Sequence, residues 1–71
     1  MSARTISITV NGERREVPEG TTVADLLARL GLDERVIVVE HNREILRRPR
    51  YGEVTLREGD ELELVHFVGG G

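Results

Sequence analysis

The sequence predicts an α+β fold: a mixed sheet of four to five strands with one main helix packed on one face. Three observations carry this. Arg4-Thr5-Ile6-Ser7-Ile8-Thr9-Val10 alternates apolar and polar residues without a break, the period of a half-buried strand. Asn11-Gly12 follows at once, the favoured pair for a two-residue hairpin because both central positions need a positive φ. A helical apolar stripe then precedes further β-branched segments, and the order hairpin, helix, strands is that of a sheet with its helix on one side.

Glu13 to Val17 returns as the second strand, and Pro18 ends it because proline has no N–H for the ladder. Thr22-Val23-Ala24-Asp25 has the spacing of a capping box, with an acid three residues after a threonine. Val23, Leu26, Leu27 and Leu30 fall at i, i+3, i+4 and i+7, so one apolar stripe runs down a helix of about residues 22 to 30. Gly31 stands just past the last periodic residue, where a left-handed cap costs glycine little.

Val36-Ile37-Val38-Val39 is a continuous β-branched run, which predicts a strand covered on both faces or over most of its length. His41-Asn42-Arg43 reads as a turn, since asparagine tolerates left-handed geometry. Glu44-Ile45-Leu46 is a short strand closed off by Pro49, and Glu53 to Leu56 is weakly strand-like or irregular. Arg57-Glu58-Gly59-Asp60 is a second tight turn that launches a last strand from Glu61 to Phe67.

Composition removes several classes of function. Seventy-one residues make one small domain, read as residues 1–67 followed by a flexible tail over 68–71. There is no cysteine, hence no disulfide, thiolate metal site or catalytic thiol. His41 and His66 stand far apart without ligand spacing, so no bound metal or cofactor is expected. Asp25 and Glu58 each have a local role, in the helix cap and the turn, which leaves no carboxylate pair for acid–base chemistry. A net charge of −3 and two aromatics give neither a basic footprint nor a stacking platform for nucleic acid. The N-terminus is no signal peptide and no apolar run is long enough to span a bilayer. A cytoplasmic protein with no membrane role, and no enzyme in its own right, is the expectation.

Alternation divides the last strand between two faces. Leu62 and Leu64 point under the helix, whereas Glu61, Glu63, Val65 and Phe67 point the other way. Val65 and Phe67 then form an apolar spot on an otherwise wet face; a twist in the strand that buries both is the competing reading. The sequence closes on Val68-Gly69-Gly70-Gly71. Three glycines have no packing role and maximal freedom, so this is either a frayed end or a functional extension. Fully extended, its four residues reach at most about 14 Å, far enough to enter a partner's active site.

The Asn11-Gly12 hairpin, the helix opening Thr22-Val23-Ala24-Asp25-Leu26-Leu27, the Gly59-Asp60 turn and the strand running into Gly69-Gly70 resemble the ubiquitin-like β-grasp fold. Val36-Ile37-Val38-Val39-Glu40, Arg43-Glu44-Ile45 and above all the block from Glu61 to Gly71 resemble, within that group, the ThiS sulfur carriers of thiamin biosynthesis. The likeness covers nearly the whole chain, and Arg47-Arg48-Pro49-Arg50 is its least typical stretch. The resemblance implies that the Gly71 carboxylate is adenylated by a ThiF-type activating enzyme that uses ATP. It is then converted to a thiocarboxylate, with sulfur from a donor such as a cysteine desulfurase, and delivers that sulfur to a ThiG-type thiazole synthase. Val65, Phe67, Val68, Gly69 and Gly70 are then the partner-binding residues. Carriers for molybdopterin or cysteine synthesis share the fold and tail, and a plain ubiquitin-like binding module shares the fold. Arg43, Arg47, Arg48 and Arg50 form either a docking patch for an acidic surface or a solvated loop. All ten cationic side chains are arginine; an arginine-favouring genome or a heat-adapted source is the favoured reading, and the alternative is that no lysine amine is left to capture an activated acyl group.

Overall fold

The computed structural model describes residues 4–67. Strand β1 (Thr5–Val10) and strand β2 (Glu13–Pro18) form an antiparallel hairpin, and helix α1 (Val23–Arg29) follows. A 3-10 turn over Glu34–Val36 leads into β3 (Ile37–His41), which pairs antiparallel with β4 (Glu44–Leu46). A second 3-10 turn, Arg48–Arg50, precedes β5 (Glu61–His66). The five strands lie in the order β2-β1-β5-β3-β4. The last strand thus fills the centre, parallel to β1 and antiparallel to β3. A mixed five-stranded sheet with one helix across it is the ubiquitin-like β-grasp arrangement.

The hairpins form where their turn residues allow. Asn11 and Gly12 take φ values of 51° and 82°, and Asn42 and Arg43 take 51° and 72°. Ile6, Ile8 and Val10 face the helix from β1, joined by Val17, Ile37, Val39 and Leu62. Val23, Leu26 and Leu27 of the helical stripe are each at most 1% exposed, so the seven-residue helix is held by packing rather than by its own propensity.

Both halves of the capping box are present: Asp25 N–H donates to Thr22 Oγ1 at 3.0 Å and Thr22 N–H to Asp25 Oδ2 at 3.1 Å. The other free amides of the first helical turn find carbonyls in the long connection before β5. Val23 N–H donates to Val54 O and Ala24 N–H to Tyr51 O, each at 3.0 Å. The irregular stretch 51–56 therefore completes the helix terminus, and Tyr51 and Leu56 add to the core from it.

One expectation is corrected. The run Val36 to Val39 is not covered on both faces: Val36 lies in the 3-10 turn, Ile37 and Val39 are buried, and Val38 is 37% exposed. The helix covers only one side of the sheet, and the β-branched run reflects strand propensity rather than double burial.

Candidate functional site

The parity of β5 decides which of its side chains are left uncovered. Leu62 is buried against α1 and Leu64 half-buried, while Val65 and Phe67 are 55% and 58% exposed. The strand does not twist them into the core. The uncovered face extends further than the sequence indicated. The register pairs Val38 with Val65 across β3 and β5, and pairs Glu40 with Ile45 across β3 and β4. Val38, Val65 and Ile45, the last 64% exposed, thus stand on the same side as Phe67. All four large exposed apolar side chains of the described residues gather on this one face.

Glu40 opposes Glu63 on the same face, and Glu61 precedes them on β5. Like charges directly opposite in a sheet cost stability, so this acidic flank is a feature of the surface and not of the packing. At the other side, Arg35, Arg47, Arg48 and Tyr51 border an open groove that includes Val38 and Ile45. Two arginines of this region are held by local pairs. Arg35 contacts Asp33 at 2.8 Å, and its hydrogen bonds bring that carboxyl down to about 2; Arg50 contacts Glu53 at 2.9 Å.

Neither histidine has the surroundings of a catalytic group. His66 is exposed, beside Leu30, Leu32 and Leu64 at the edge of the core. His41 is more than a turn residue: it ends β3, half-buried, with Nε2 2.9 Å from Asp60 Oδ2. The Asp60 carboxylate also accepts from Arg57 N–H at 2.9 Å and Asn42 Nδ2 at 3.2 Å. Burial pushes its pKa up, but the hydrogen bonds from His41, the Arg57 amide and Asn42 outweigh that and hold it below the ordinary carboxylate range. These bonds tie two turns together and serve structure.

Of the residues singled out for docking, Val65 and Phe67 lie together on the open face. Val68, Gly69, Gly70 and Gly71 lie outside the described residues. Val38 and Ile45 escaped the sequence reading because the run around Val38 looked buried throughout and Glu44-Ile45-Leu46 was too short to give a phase. The pairing of Val38 with Val65 is the signal that finds them.

The ThiS family matches residues 8–71. The chain belongs to that family. The match takes in the whole sheet after the first residues of β1, and also Val68 to Gly71. Among proteins of the ThiS family, the sulfur carrier protein ThiS of Bacillus subtilis is 50% identical over 50 residues, which is 70% of this chain and 76% of that protein. Thiazole synthases of Paramagnetospirillum magneticum and Magnetococcus marinus are each 42% identical over 66 residues. The aligned stretch is 93% of this chain, which spans 20% of the length of those two synthases. The crystal structure of the ThiS protein of Geobacter metallireducens superposes with a TM-score of 0.80 at 35% identity, over 93% of this chain and all of that one.

Proposed function

We propose that the chain is the sulfur carrier of thiazole formation in thiamin biosynthesis, with the Gly71 carboxylate as its reactive group. The observation that carries this is that the ThiS family match runs through the terminal glycines as well as the sheet. A carboxylate is a poor acyl donor because oxide leaves badly. Activation therefore comes first: a Gly71 carboxylate oxygen attacks the α-phosphorus of ATP, pyrophosphate leaves, and an acyl-adenylate results. The outer sulfur of a persulfide that a cysteine desulfurase supplies then attacks the acyl carbon and displaces AMP, and a thiol cleaves the S–S bond of the resulting acyl persulfide, which leaves a thiocarboxylate on Gly71 and a disulfide as the oxidised product. The catalytic groups for both steps belong to a ThiF-type activating enzyme; this chain is substrate and carrier.

Its own residues supply recognition. Val38, Ile45, Val65 and Phe67 form the apolar docking face, and Val68, Gly69 and Gly70 lead from it with no Cβ on the glycines to obstruct a narrow channel. A ThiG-type thiazole synthase is the sulfur acceptor in this reading. It is supported by proteins of that name that carry a stretch like this chain within their own length, since carrier and acceptor on one polypeptide serve each other directly. A chain without cysteine suits a reducing cytoplasm, where ATP is plentiful.

The test is mass spectrometry after incubation with ATP, the activating enzyme and a sulfur donor. The expected product has one oxygen replaced by sulfur, confined to Gly71. An unchanged mass refutes the carrier reading, as does full conversion of a chain lacking Gly71.

A further inference from the structure

The open face is uneven in charge as well as apolar. Along the sheet, Glu63 stands opposite Glu40 and Glu40 beside Ile45, while the next row pairs Val65 with Val38. Glu40 is half-buried, and Glu61 and Glu63 are exposed. None of the three carboxylates has an ion-pair partner among the described residues. Arg43 borders the same cleft but forms no ion pair with them.

On its other side the apolar patch ends at a basic rim. Val38 and Ile45 belong to an open groove bordered by Arg35, Arg47 and Arg48. Asp33 takes up Arg35, and Glu53 takes up the nearby Arg50. Arg47 and Arg48 are exposed and have no carboxylate partner among the described residues. They make a cationic spot on a chain whose net charge is −3, so the positive field is local to this rim.

Neither set of charges is accounted for by the fold. Exposed arginines without partners add little to stability, and two glutamates directly opposite across β3 and β5 lower it. Both sets border the uncovered apolar patch, on different sides. A charged rim around an apolar centre is the anatomy of a protein interface. There the charges govern orientation and encounter rate more than affinity.

We infer that the open face is a polarised docking surface for the enzyme that activates Gly71. Arg47 and Arg48 meet carboxylates of that enzyme, Glu40, Glu61 and Glu63 meet its Arg or Lys side chains, and the apolar residues are covered between them. The inference rests on the sulfur-carrier reading above. Its partner is the activating enzyme because any sulfur carrier must be loaded, whichever acceptor consumes the sulfur. The two opposite charges admit one docking orientation, since a half-turn of the partner on the face sets like charge against like.

The test is stopped-flow association with the ThiF-type enzyme at about 0.01 M and about 1 M ionic strength, between which the screening length falls from about 30 Å to about 3 Å. Arg47→Gln with Arg48→Gln, and separately Glu40→Gln with Glu63→Gln, are each expected to slow association about tenfold at low salt. At high salt each should match the unaltered chain. Two control pairs repeat these changes in net charge away from the face: Arg15→Gln with Arg29→Gln, and Glu13→Gln with Glu19→Gln. Arg15 and Glu13 lie opposite Ile8 and Val10 on the helix side of the sheet, Arg29 lies on the helix, and Glu19 follows β2. Their association rates are expected to hold within about twofold. Thermal melting separates docking from structure: the Glu40→Gln, Glu63→Gln chain should melt at an equal or higher temperature, because the change relieves the repulsion. Equal slowing in the controls, no slowing in either rim pair, or slowing accompanied by a lower melting temperature overturns the inference. So does slowing seen with a thiazole synthase and not with the activating enzyme. Failure of the unaltered chain to gain sulfur counts instead against the carrier reading.

Discussion

His41 Nε2 lies 2.9 Å from Asp60 Oδ2, which joins the end of β3 to the turn that starts β5. Asp60 is 8% exposed, and its folded-state pKa is lowered from the ordinary 3.8. A depressed carboxyl pKa stabilises the fold fully above the unfolded value, and that contribution is lost as pH falls through the folded value. The chain should therefore lose this part of its stability below pH 3.8. Asp60→Asn is expected to cost about 1–3 kcal/mol at neutral pH. Its deficit relative to the unaltered chain should shrink on acidification. Denaturant melts across that range check this, and a deficit independent of pH would refute it.

The Thr22 cap offers a second measurement. Thr22→Ala removes the acceptor for Asp25 N–H and should cost about 1 kcal/mol, whereas Thr22→Ser, which keeps the oxygen, should cost clearly less. Urea unfolding resolves the difference. Equal losses in the two variants would place the energy in the threonine methyl group rather than in the hydrogen bond.

The elements with a local signal were legible. Asn11-Gly12, the Thr22 to Asp25 box and the stripe from Val23 to Leu30 fix the hairpin and helix by dihedral preference, hydrogen bonding and periodicity, all within a few residues. The phase of β5 was legible too, because Leu62 and Leu64 alternate with glutamates. What the sequence hid depends on pairing between distant segments. Val38 sits in a run with no alternation, so only its place opposite Val65 reveals the open face. The bond between His41 and Asp60 and the hydrogen bonds of the Asn11 side chain to Leu64 arise where β5 enters between strands far from it in sequence, which no local pattern encodes. Val68 to Gly71 were singled out from composition and lie outside the described residues.

Arg43 differs from the matching residue of the first hairpin. It holds φ 72° where Gly12 holds 82°, and a side chain in that region costs about 1–2 kcal/mol. Arg43→Gly removes the strain but frees the unfolded chain, at a cost of about 0.4–1 kcal/mol. The strain is the larger quantity, so Arg43→Gly should raise the stability by about 0.5–1 kcal/mol. Thermal or urea melts decide. A destabilised variant would mean that the arginine side chain makes a contribution exceeding its backbone strain.

Ile45 gives a test of the proposed docking face that is separate from the proposed reacting group at Gly71. It lies on β4, 64% exposed, with β3 standing between it and β5. Because the side chain is already largely in water, Ile45→Ser should alter fold stability by no more than about 0.5 kcal/mol. If the activating enzyme covers the open face, the same change removes apolar burial worth about 1–2 kcal/mol in the complex. That corresponds to a rise of about fivefold to thirtyfold in KM for the carrier. The kcat at saturation should hold, because the carboxylate still arrives by the same strand. An Ile45→Ser carrier with unaltered KM would confine the interface to Val65, Phe67 and the residues after them.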